Sequence, residues 1–423
     1  MKIQSIAALL LILGVAVPCF GAGLTLKECI QKAAAANPSL KVARYDEKIA
    51  EEGITLARSG YLPKIDIQGG YTVQNEPQSV KINGITAQTQ QPNYAFANLF
   101  INQTLWDFGR TRQRFRRAEL VRDASARSYS GQEKEIYLSV VETYYGILET
   151  RKLLAAADEE VMQRLDHLKI AQNLFEQGVV TRNDVLQAEV KLAESRQRRL
   201  ATANNLENAR LSLNFLIGES PGFRGDLDEK TEAVQIEDNE KLLSRAMENR
   251  PEISAARKFV EAGEAEVSEN RSNYMPELYA RAGVDYVENK YVVEQAIMSA
   301  TVGLKMNLFD GLATTAKQRQ AVKNLGKSRE KLRLLEQGVR LELQTAINDS
   351  KVASERIRTV ETAIKQGEEN LRINRDRYQE QVGTATDVID AQTLLTQIRS
   401  DYYRAVFDYE VAVARVKKAL GEL

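Results

Sequence analysis

The sequence predicts a mainly α-helical chain that is internally duplicated, with long coiled-coil hairpins and four β-strands. Three observations predict this fold class. A repeat covers almost the whole chain, two long stretches without proline keep apolar residues at heptad spacing, and four short stretches alternate apolar with polar residues. Because the repeat and the periodicity are separate signals, their agreement favours one elongated, two-part body over several unrelated domains.

The repeat is clearest in residues 175–188 and 378–391, where an aromatic residue, a threonine, an aspartate and an alanine recur. The shift is constant, since 378 − 175 and 391 − 188 both equal 203. Each stretch contains a glycine, which can end a helix, and a threonine, which can cap the next one. We therefore predict two tight helical turns, the first tip at 176–184 and the second tip at 379–387.

Other motifs extend the repeat towards the N-terminus. Residues 106–107 match 309–310 at the same shift, whereas 61–63 match 274–276 at a shift of 213. The first copy therefore carries ten more residues between these motifs (213 − 203). A length difference confined to one place marks a surface loop.

The predicted organisation is a signal peptide at 1–22, a first structural repeat at 23–218, a linker at 219–240 and a second structural repeat at 241–423. Lys2, an apolar run and then small residues form the pattern of a secretory signal peptide. No other apolar stretch approaches the ~20 residues of a membrane helix. We therefore expect an exported protein that is not anchored by a helix.

Composition and single residues argue against catalysis. The 58 basic and 58 acidic residues cancel, so the charge gives no indication of nucleic-acid binding. Cys19 could carry a lipid, but residues 16–18 fit a lipoprotein cleavage site poorly. Cys29 would then be the only mature cysteine and His167 is the only histidine, so no internal disulfide or metal cluster is expected. The sequence also contains no Ser-His-Asp set or phosphate-binding glycine loop, and it predicts neither an enzyme nor a cofactor.

Long helices are predicted where proline is missing, between Pro92 and Pro221 and after Pro276. The first should run over about 110–175, which is roughly 100 Å at ~1.5 Å per residue. Apolar residues recur there every seven positions, and after the second tip they step by three and four, as in a coiled-coil seam. The heptad positions of the first helix are Ile147, Leu154, Val161, Leu168 and Phe175.

Four stretches are predicted to be strands, at about 64–73, 95–106, 277–287 and 296–308, with 74–93 as a polar loop. Strict alternation over this length is typical of a half-buried strand. It is also long enough for a tilted membrane strand, which takes ~9–11 residues. An ordinary soluble sheet remains the alternative.

Trp106 and Phe309 are predicted to end the two return strands at matching positions. Aromatic residues there fit the interfacial girdle of a membrane barrel. Four strands cannot close a barrel, and an open edge in lipid leaves backbone groups unpaired. If the strands enter a membrane, several copies of the chain must therefore combine, and the long helices must reach far out of it.

Taken together, these features make the chain resemble the TolC-like outer-membrane efflux proteins, or outer membrane factors. The matching motifs lie at 61–63, 274–276, 105–109 and 308–311, and in the two Asp-Val tips. The resemblance implies a homotrimer with one twelve-stranded barrel in the lipid of the outer membrane above a helical tunnel in the periplasm. It also implies a periplasmic adaptor (membrane fusion) protein and an inner-membrane transporter as partners, in drug efflux or type I secretion.

The resemblance assigns roles to residues of the second tip. Asp387 and Asp390 match two aspartates that ring the closed periplasmic entrance in the family. Such a ring would attract cations and repel itself. The alternative is a solvated helix start, with aspartate at the positive end of the helix dipole. Asp184 and Tyr378 match a contact that links the two tips, whereas a second family link uses an arginine where this chain has Gly383.

The tips would also be the surface offered to the adaptor. The matching residues are Gly178, Val179, Thr181, Val382, Gly383 and Thr384. The resemblance therefore implies a passive export channel, or exit duct, gated at its tips. The competing hypothesis is a periplasmic coiled-coil adaptor or scaffold without a pore, although no compact all-β adaptor domain is found. The sequence does not identify the cargo.

Overall fold

The computed structural model describes residues 24–229 and 239–423. The predicted signal peptide at 1–22, with Cys19, lies outside the described residues, as do positions 230–238 of the predicted linker. The described residues form mostly helix. The helices are α1 (Leu26–Ala36), α2 (Pro38–Arg58), α3 (Arg110–Glu176), α4 (Arg182–Ile217), α5 (Asn239–Asn249), α6 (Pro251–Ser272), α7 (Ala313–Gln379) and α8 (Ala385–Ala419).

The strands form one four-stranded antiparallel sheet and one separate hairpin. They are β1 (Lys64–Val73), β2 (Ser79–Ile82), β3 (Ile85–Gln88), β4 (Asn93–Trp106), β5 (Glu277–Val287) and β6 (Ala296–Lys305). The sheet order is β1-β4-β5-β6, so the central pair joins strands from the two halves of the sequence. The sheet is not closed, and β1 and β6 each leave one edge without a partner strand among the described residues.

Residues 74–93 are not the plain loop that the sequence predicts, because β2 and β3 form a hairpin within them. Asn83 and Gly84 connect the two strands with φ angles of 50° and 84°. Two successive left-handed residues are what a tight type I′ turn requires, and Asn-Gly is its strongest sequence signal. The dipeptide lies between Ile82 and Ile85 and could have been recognised.

The last strand is also shorter than predicted. β6 ends at Lys305, which pairs with Glu277 at the start of β5, so Phe309 lies beyond the strand. Trp106, in contrast, is the last residue of β4 and pairs with Leu278. The difference follows from position in the sheet: β4 has a partner on each side, whereas β6 has only β5 and stops where β5 begins.

Helices follow the return strands through a shared type of connection. Asp107 accepts hydrogen bonds from the backbone N–H (2.8 Å) and hydroxyl (2.5 Å) of Thr111, and Asp310 does the same for Thr314. Both aspartates therefore cap the long helix that starts beside them. Each is followed by two residues of positive φ, namely Phe108 and Gly109 in one case and Gly311 and Leu312 in the other.

The chain separates into two compact units that do not coincide with the predicted repeats. The first, here called the tip unit, comprises segments within Met1–Ala35, Val140–Ala233 and Thr359–Phe407. Its core buries one face of α8 and the end of α7, with Ile170 and Leu174 of α3 packed against them. The buried residues are Leu371, Tyr378, Ala385, Val388, Ala391 and Leu395. Each predicted repeat contributes to this core, since a coiled-coil stripe is buried only against a partner helix.

The second unit, here called the sheet unit, comprises Ala36–Ser139, segments of Val234–Arg358, and Asp408–Leu423. It contains the four-stranded sheet and a helical core in which α5, α6, α7 and α8 meet. The buried residues of that core are Leu242, Ala246, Ile253, Val339, Leu343, Ala346, Ile347, Val416, Ala419 and Leu420. All of these residues belong to the second predicted repeat, whereas a smaller core joins the two halves through Leu120 of α3 and Ala262 and Ala265 of α6.

Candidate functional site

The register of the four-stranded sheet separates its two faces by polarity. Residues that pair directly across antiparallel strands point to the same face. One face is apolar in successive rows across all four strands. Its central rows are Ile65–Ile101–Ala282–Ala300 and Ile67–Leu99–Val284–Met298. This apolar face is exposed in the single chain, with Ile67 82% and Met298 83% accessible.

The opposite face is polar and is flattened by aromatic rings. One row reads Lys64–Asn102–Arg281–Thr301. A methyl group placed on Gly283 would come within 2.6 Å of the Phe100 ring, on Gly70 within 2.7 Å of Phe96, and on Gly303 within 2.8 Å of the Tyr279 hydroxyl. Each ring therefore lies over the glycine that pairs with its own residue on the neighbouring strand.

An exposed apolar surface of this extent marks contact with another apolar surface or with lipid. Trp106 and Phe309 are also exposed, at 60% and 79%. In the ranges that the structure describes, no helix combines the length and the apolar character that crossing a membrane requires. The apolar face of the sheet and its two aromatic neighbours thus form one candidate site.

The first tip is built by two helix-terminal motifs in succession. At the end of α3, the Gly178 N–H donates to the Phe175 carbonyl and the Val179 N–H donates to the Leu174 carbonyl, both at 2.9 Å. Gly178 has a φ of 73°, as this Schellman motif requires. Asp184 then forms a capping box for α4, accepting from the backbone N–H and the hydroxyl of Thr181 at 2.8 Å each.

The second tip repeats this construction with one change. The Gln381 N–H donates to the Tyr378 carbonyl (3.1 Å) and the Val382 N–H to the Arg377 carbonyl (2.9 Å). The left-handed residue is Gln381, with a φ of 63°, although glycine is usual at this position. Only the place of Gln381 in the repeat, equivalent to that of Gly178, indicates a left-handed residue. Glutamine itself gives no such signal, so sequence analysis did not identify it.

Gly383 is a glycine for a different reason. A Cβ atom there would lie 3.1 Å from Arg377 Cβ and 3.2 Å from its carbonyl carbon. An arginine in place of Gly383 would therefore have to displace the end of α7. Arg377 itself reaches back to the tip and donates to the Val382 carbonyl at 3.4 Å.

The two aspartates of the second tip have different environments. Asp387 is in a capping box: its carboxylate accepts from the Thr384 N–H at 2.9 Å, and its own N–H donates to Thr384 Oγ1 at 3.2 Å. The hydrogen bonds from Thr384 hold the pKa of Asp387 below its usual range. Asp390 is exposed and lines a groove of about 360 Å³ between α4 and α8, together with Leu186 and Val190.

Tyr378 is buried beside His167, and their ring centroids are 5.6 Å apart. Burial, followed by the charge of Asp184, raises the pKa of the Tyr378 hydroxyl. That hydroxyl has no hydrogen-bond partner among the described residues. The contact expected between Asp184 and Tyr378 is therefore not formed as a hydrogen bond within the chain. Both bonds from Thr181 end on Asp184 Oδ2, which leaves Oδ1 outside the capping box.

Arg164 is a structural residue of the tip unit that sequence analysis missed. Its side chain is 2% exposed and donates to Gln392 Oε1 (3.1 Å) and Thr393 Oγ1 (2.8 Å) of α8. Glu160, which pairs with Arg198 at 2.5 Å, lies 3.5 Å from it. The sequence did contain a signal, since Ala157 and Ala171 lie one heptad before and one heptad after Arg164 and so share its heptad position. Both alanines are also buried.

His167, the only histidine of the sequence, is buried against Tyr378. Burial, and then the charges of Arg164 and Arg375, lower the pKa of His167 to about 4. Within residues 24–229 and 239–423, no group of histidine, cysteine and carboxylate side chains could hold a metal ion.

Comparison with known proteins gives consistent results. The family model described as "Outer membrane efflux protein" matches residues 29–219 and 242–422. The chain is 22% identical over 398 residues to the alkaline protease secretion protein AprF of Pseudomonas aeruginosa, covering 92% of this chain and 82% of that protein. It is also 22% identical over 408 residues to the outer membrane protein TolC of Vibrio cholerae, covering 94% and 91%.

Solved structures share the fold. The outer-membrane channel OprN superposes with a TM-score of 0.81 at 17% identity, covering 94% of this chain and 90% of that one. The outer membrane protein VceC of Vibrio cholerae superposes with a TM-score of 0.78 at 18% identity, covering 94% and 96%. At these identities, the likeness shows the fold.

Proposed function

Because the chain belongs to the outer membrane efflux protein family, we propose that it is the outer-membrane exit duct of an efflux or type I secretion system. The observation that carries this proposal is the sheet, which has one apolar face, one polar face and two open edges. A strand that crosses lipid beside water needs this division of polarity. The competing hypothesis, a coiled-coil adaptor or scaffold without a pore, leaves the exposed apolar face without a role.

The open edges support assembly as a homotrimer. A free strand edge in lipid leaves N–H and C=O groups unsatisfied, at several kcal/mol each. Pairing β1 of one copy with β6 of the next would satisfy both edges, and three copies would close a twelve-stranded barrel. The apolar face, with Trp106 and Phe309 near its rim, would contact outer-membrane lipid, and the polar face would line the passage.

The tips would form the periplasmic entrance and the docking surface for partners. The exposed Asp390 and the capping Asp387 would ring the entrance with carboxylates, of which Asp390 is the freer to meet cations. A contact from Asp184 Oδ1 to the Tyr378 hydroxyl would hold the entrance closed. A periplasmic adaptor would bind the tip residues, and an inner-membrane transporter would supply the cargo. The adaptor-contacting residues would be Gly178, Val179, Thr181, Val382, Gly383 and Thr384.

In this role the protein is passive and performs no catalysis. One relative is named as a protein for alkaline protease secretion, and the family is described as outer membrane efflux proteins. Both proteins and small molecules therefore fit the proposal as cargo. The duct binds no cofactor, and the direction of transport comes from the transporter.

Detergent extraction and conductance test the duct together. The full chain should leave outer membranes only in detergent, as a trimer, and should open discrete channels in a planar bilayer. Asp390→Asn should weaken the preference for cations more than Asp387→Asn, since Asp387 is occupied by its capping box. A monomer released by salt alone, with no conductance, would favour the scaffold instead.

A further inference from the structure

The polar face of the sheet carries a concentration of positive charge where the strands join the helices. A concave site of about 570 Å³ lies there, within the sheet unit. Three of its cationic side chains come from three different strands: Lys64 of β1, Arg281 of β5 and Lys305 of β6. Arg110 and Arg114 of α3 line the same site.

Two of these five cations are already neutralised. Glu277 pairs with Arg110 and also accepts a hydrogen bond from Thr104 at 2.7 Å. Arg114 pairs with Glu269 at 2.9 Å.

The other three cations, Lys64, Arg281 and Lys305, are here called the cationic site. None of them has an ion pair with another described residue, and all three are exposed. The nearest acidic residue along β1 is Asp66, whose carboxylate accepts from the Asn102 amide at 3.4 Å. The local charge balance is therefore positive.

The geometry orients these charges towards one space. Asn102 pairs with Lys64 on one side and with Arg281 on the other, so Lys64, Asn102 and Arg281 share a row and a face. Lys305 lies on the same face outside this row, opposite Glu277. The Arg281 guanidinium lies 3.7 Å from the centre of the Phe100 ring, which limits its freedom. Tyr279 adds a neutral hydroxyl to the same lining, whereas the Gln103 amide already donates to the Tyr61 and Thr104 carbonyls. Ammonium and guanidinium groups are the donors that recognise carboxylate and phosphate oxygens.

We infer that the cationic site binds carboxylate or phosphate groups of molecules in transit and gives this part of the passage a preference for anions. The inference rests on the proposed duct, in which the polar face lines the lumen. Three copies would place three such sites around one bore, where a low-dielectric wall concentrates their field. The tip unit would then offer carboxylates to the passage, and the sheet unit would offer cations.

Lipid headgroups share the phosphate chemistry but fit the location less well. The cationic side chains belong to the polar face, and the apolar face of the same strands is the one suited to lipid. Ion selectivity distinguishes phosphate groups in transit from lipid headgroups as the ligand. Charges that face lipid do not line the conducting path, so their removal would leave the selectivity unchanged.

The test is the reversal potential of wild-type channels in a KCl gradient at low ionic strength, compared with Lys64→Gln/Lys305→Gln. Lys81→Gln/Lys290→Gln is the matched control, since it removes two exposed lysines outside the site. We expect the ratio of chloride to potassium permeability to fall about threefold or more in the first variant and to stay unchanged in the control. Adding Arg281→Gln should lower it further.

Each outcome bears on a distinct claim. Openings with an unaltered reversal potential in the Lys64→Gln/Lys305→Gln variant would overturn the cationic site and leave the duct intact. Folded trimers that never open would overturn the duct, and the inference with it. As a measurement independent of conductance, sodium tripolyphosphate should raise the melting temperature of the wild type and of the control more than that of the variant. Equal shifts in all three would also overturn the site.

Discussion

Arg164 gives the most direct test of how the tip unit is held together. Arg164→Met keeps a long side chain in the buried position but removes the donors to Gln392 and Thr393. Gln392 is 1% exposed and would lose its charged partner. Since a hydrogen bond to a charged group contributes about 1.5–3 kcal/mol, we expect the start of α8 to lose about 3 kcal/mol of local stability. Glu160 would retain Arg198, so its charge stays compensated.

Hydrogen–deuterium exchange measures the loss of local stability at the start of α8. A change of about 3 kcal/mol corresponds to roughly 100-fold faster exchange, because ~1.4 kcal/mol is tenfold, and it should be confined to residues near 385–395. Arg199→Met is the matched control, since Arg199 pairs with Asp158 at a position where both are about half exposed. Such a surface pair contributes only ~0–1 kcal/mol.

Two results would refute this account of Arg164. One is unchanged exchange of the α8 start in Arg164→Met, and the other is an equal increase in the control. The double variant Arg164→Met/Gln392→Leu adds a further check. Because it removes both members of the buried pair, its loss should be smaller than the sum of the two single losses.

Three further predictions concern the tips. Gln381→Gly should stabilise the second tip by about 1 kcal/mol. A left-handed non-glycine residue costs ~1–2 kcal/mol, and part of the relief is lost because glycine has more conformational entropy in the unfolded chain. A lower melting temperature would contradict this prediction. The pKa of His167 is about 4 in the folded chain, against an ordinary value of 6.5, so the unfolded chain binds the proton more readily. The stability of the tip should therefore fall as the pH drops from 6.5 towards 4. The melting temperature of the His167→Phe variant should lack this pH-dependent component. Tyr378→Phe should increase leak through assembled channels without lowering the stability of the tip, because the hydroxyl has no hydrogen-bond partner among residues 24–229 and 239–423. Unchanged leak would argue against a contact with Asp184.

The sequence predicted the helical turns well because their signals are local. Thr181 with Asp184, and Thr384 with Asp387, form capping boxes at the predicted tips. A capping box needs only residues three positions apart, so it can be recognised without knowledge of the fold. Gln381 was not recognised, since no local rule singles out glutamine for a left-handed position.

Features that depend on neighbours in space were harder to predict. Phe309 lies beyond β6 because its partner strand begins at Glu277, which no pattern within 296–308 reveals. The burial of Arg164 and His167 depends on residues of α7 and α8 more than 200 positions away in sequence. In the sheet, alternation predicted the two faces, but only the register showed which cations share a row.

The rings that lie over glycines on the polar face have a consequence for passage. Phe96, Phe100 and Tyr279 are folded down against the sheet, so the face has low relief despite its bulky side chains. Replacing Gly283 with alanine would place a methyl group 2.6 Å from the Phe100 ring and 2.7 Å from the Leu99 carbonyl oxygen, so the ring would be displaced and β4 and β5 would have to shift. In a duct lined by this face, the smallest residues would thus set the free cross-section, and a single methyl group could act as an obstruction.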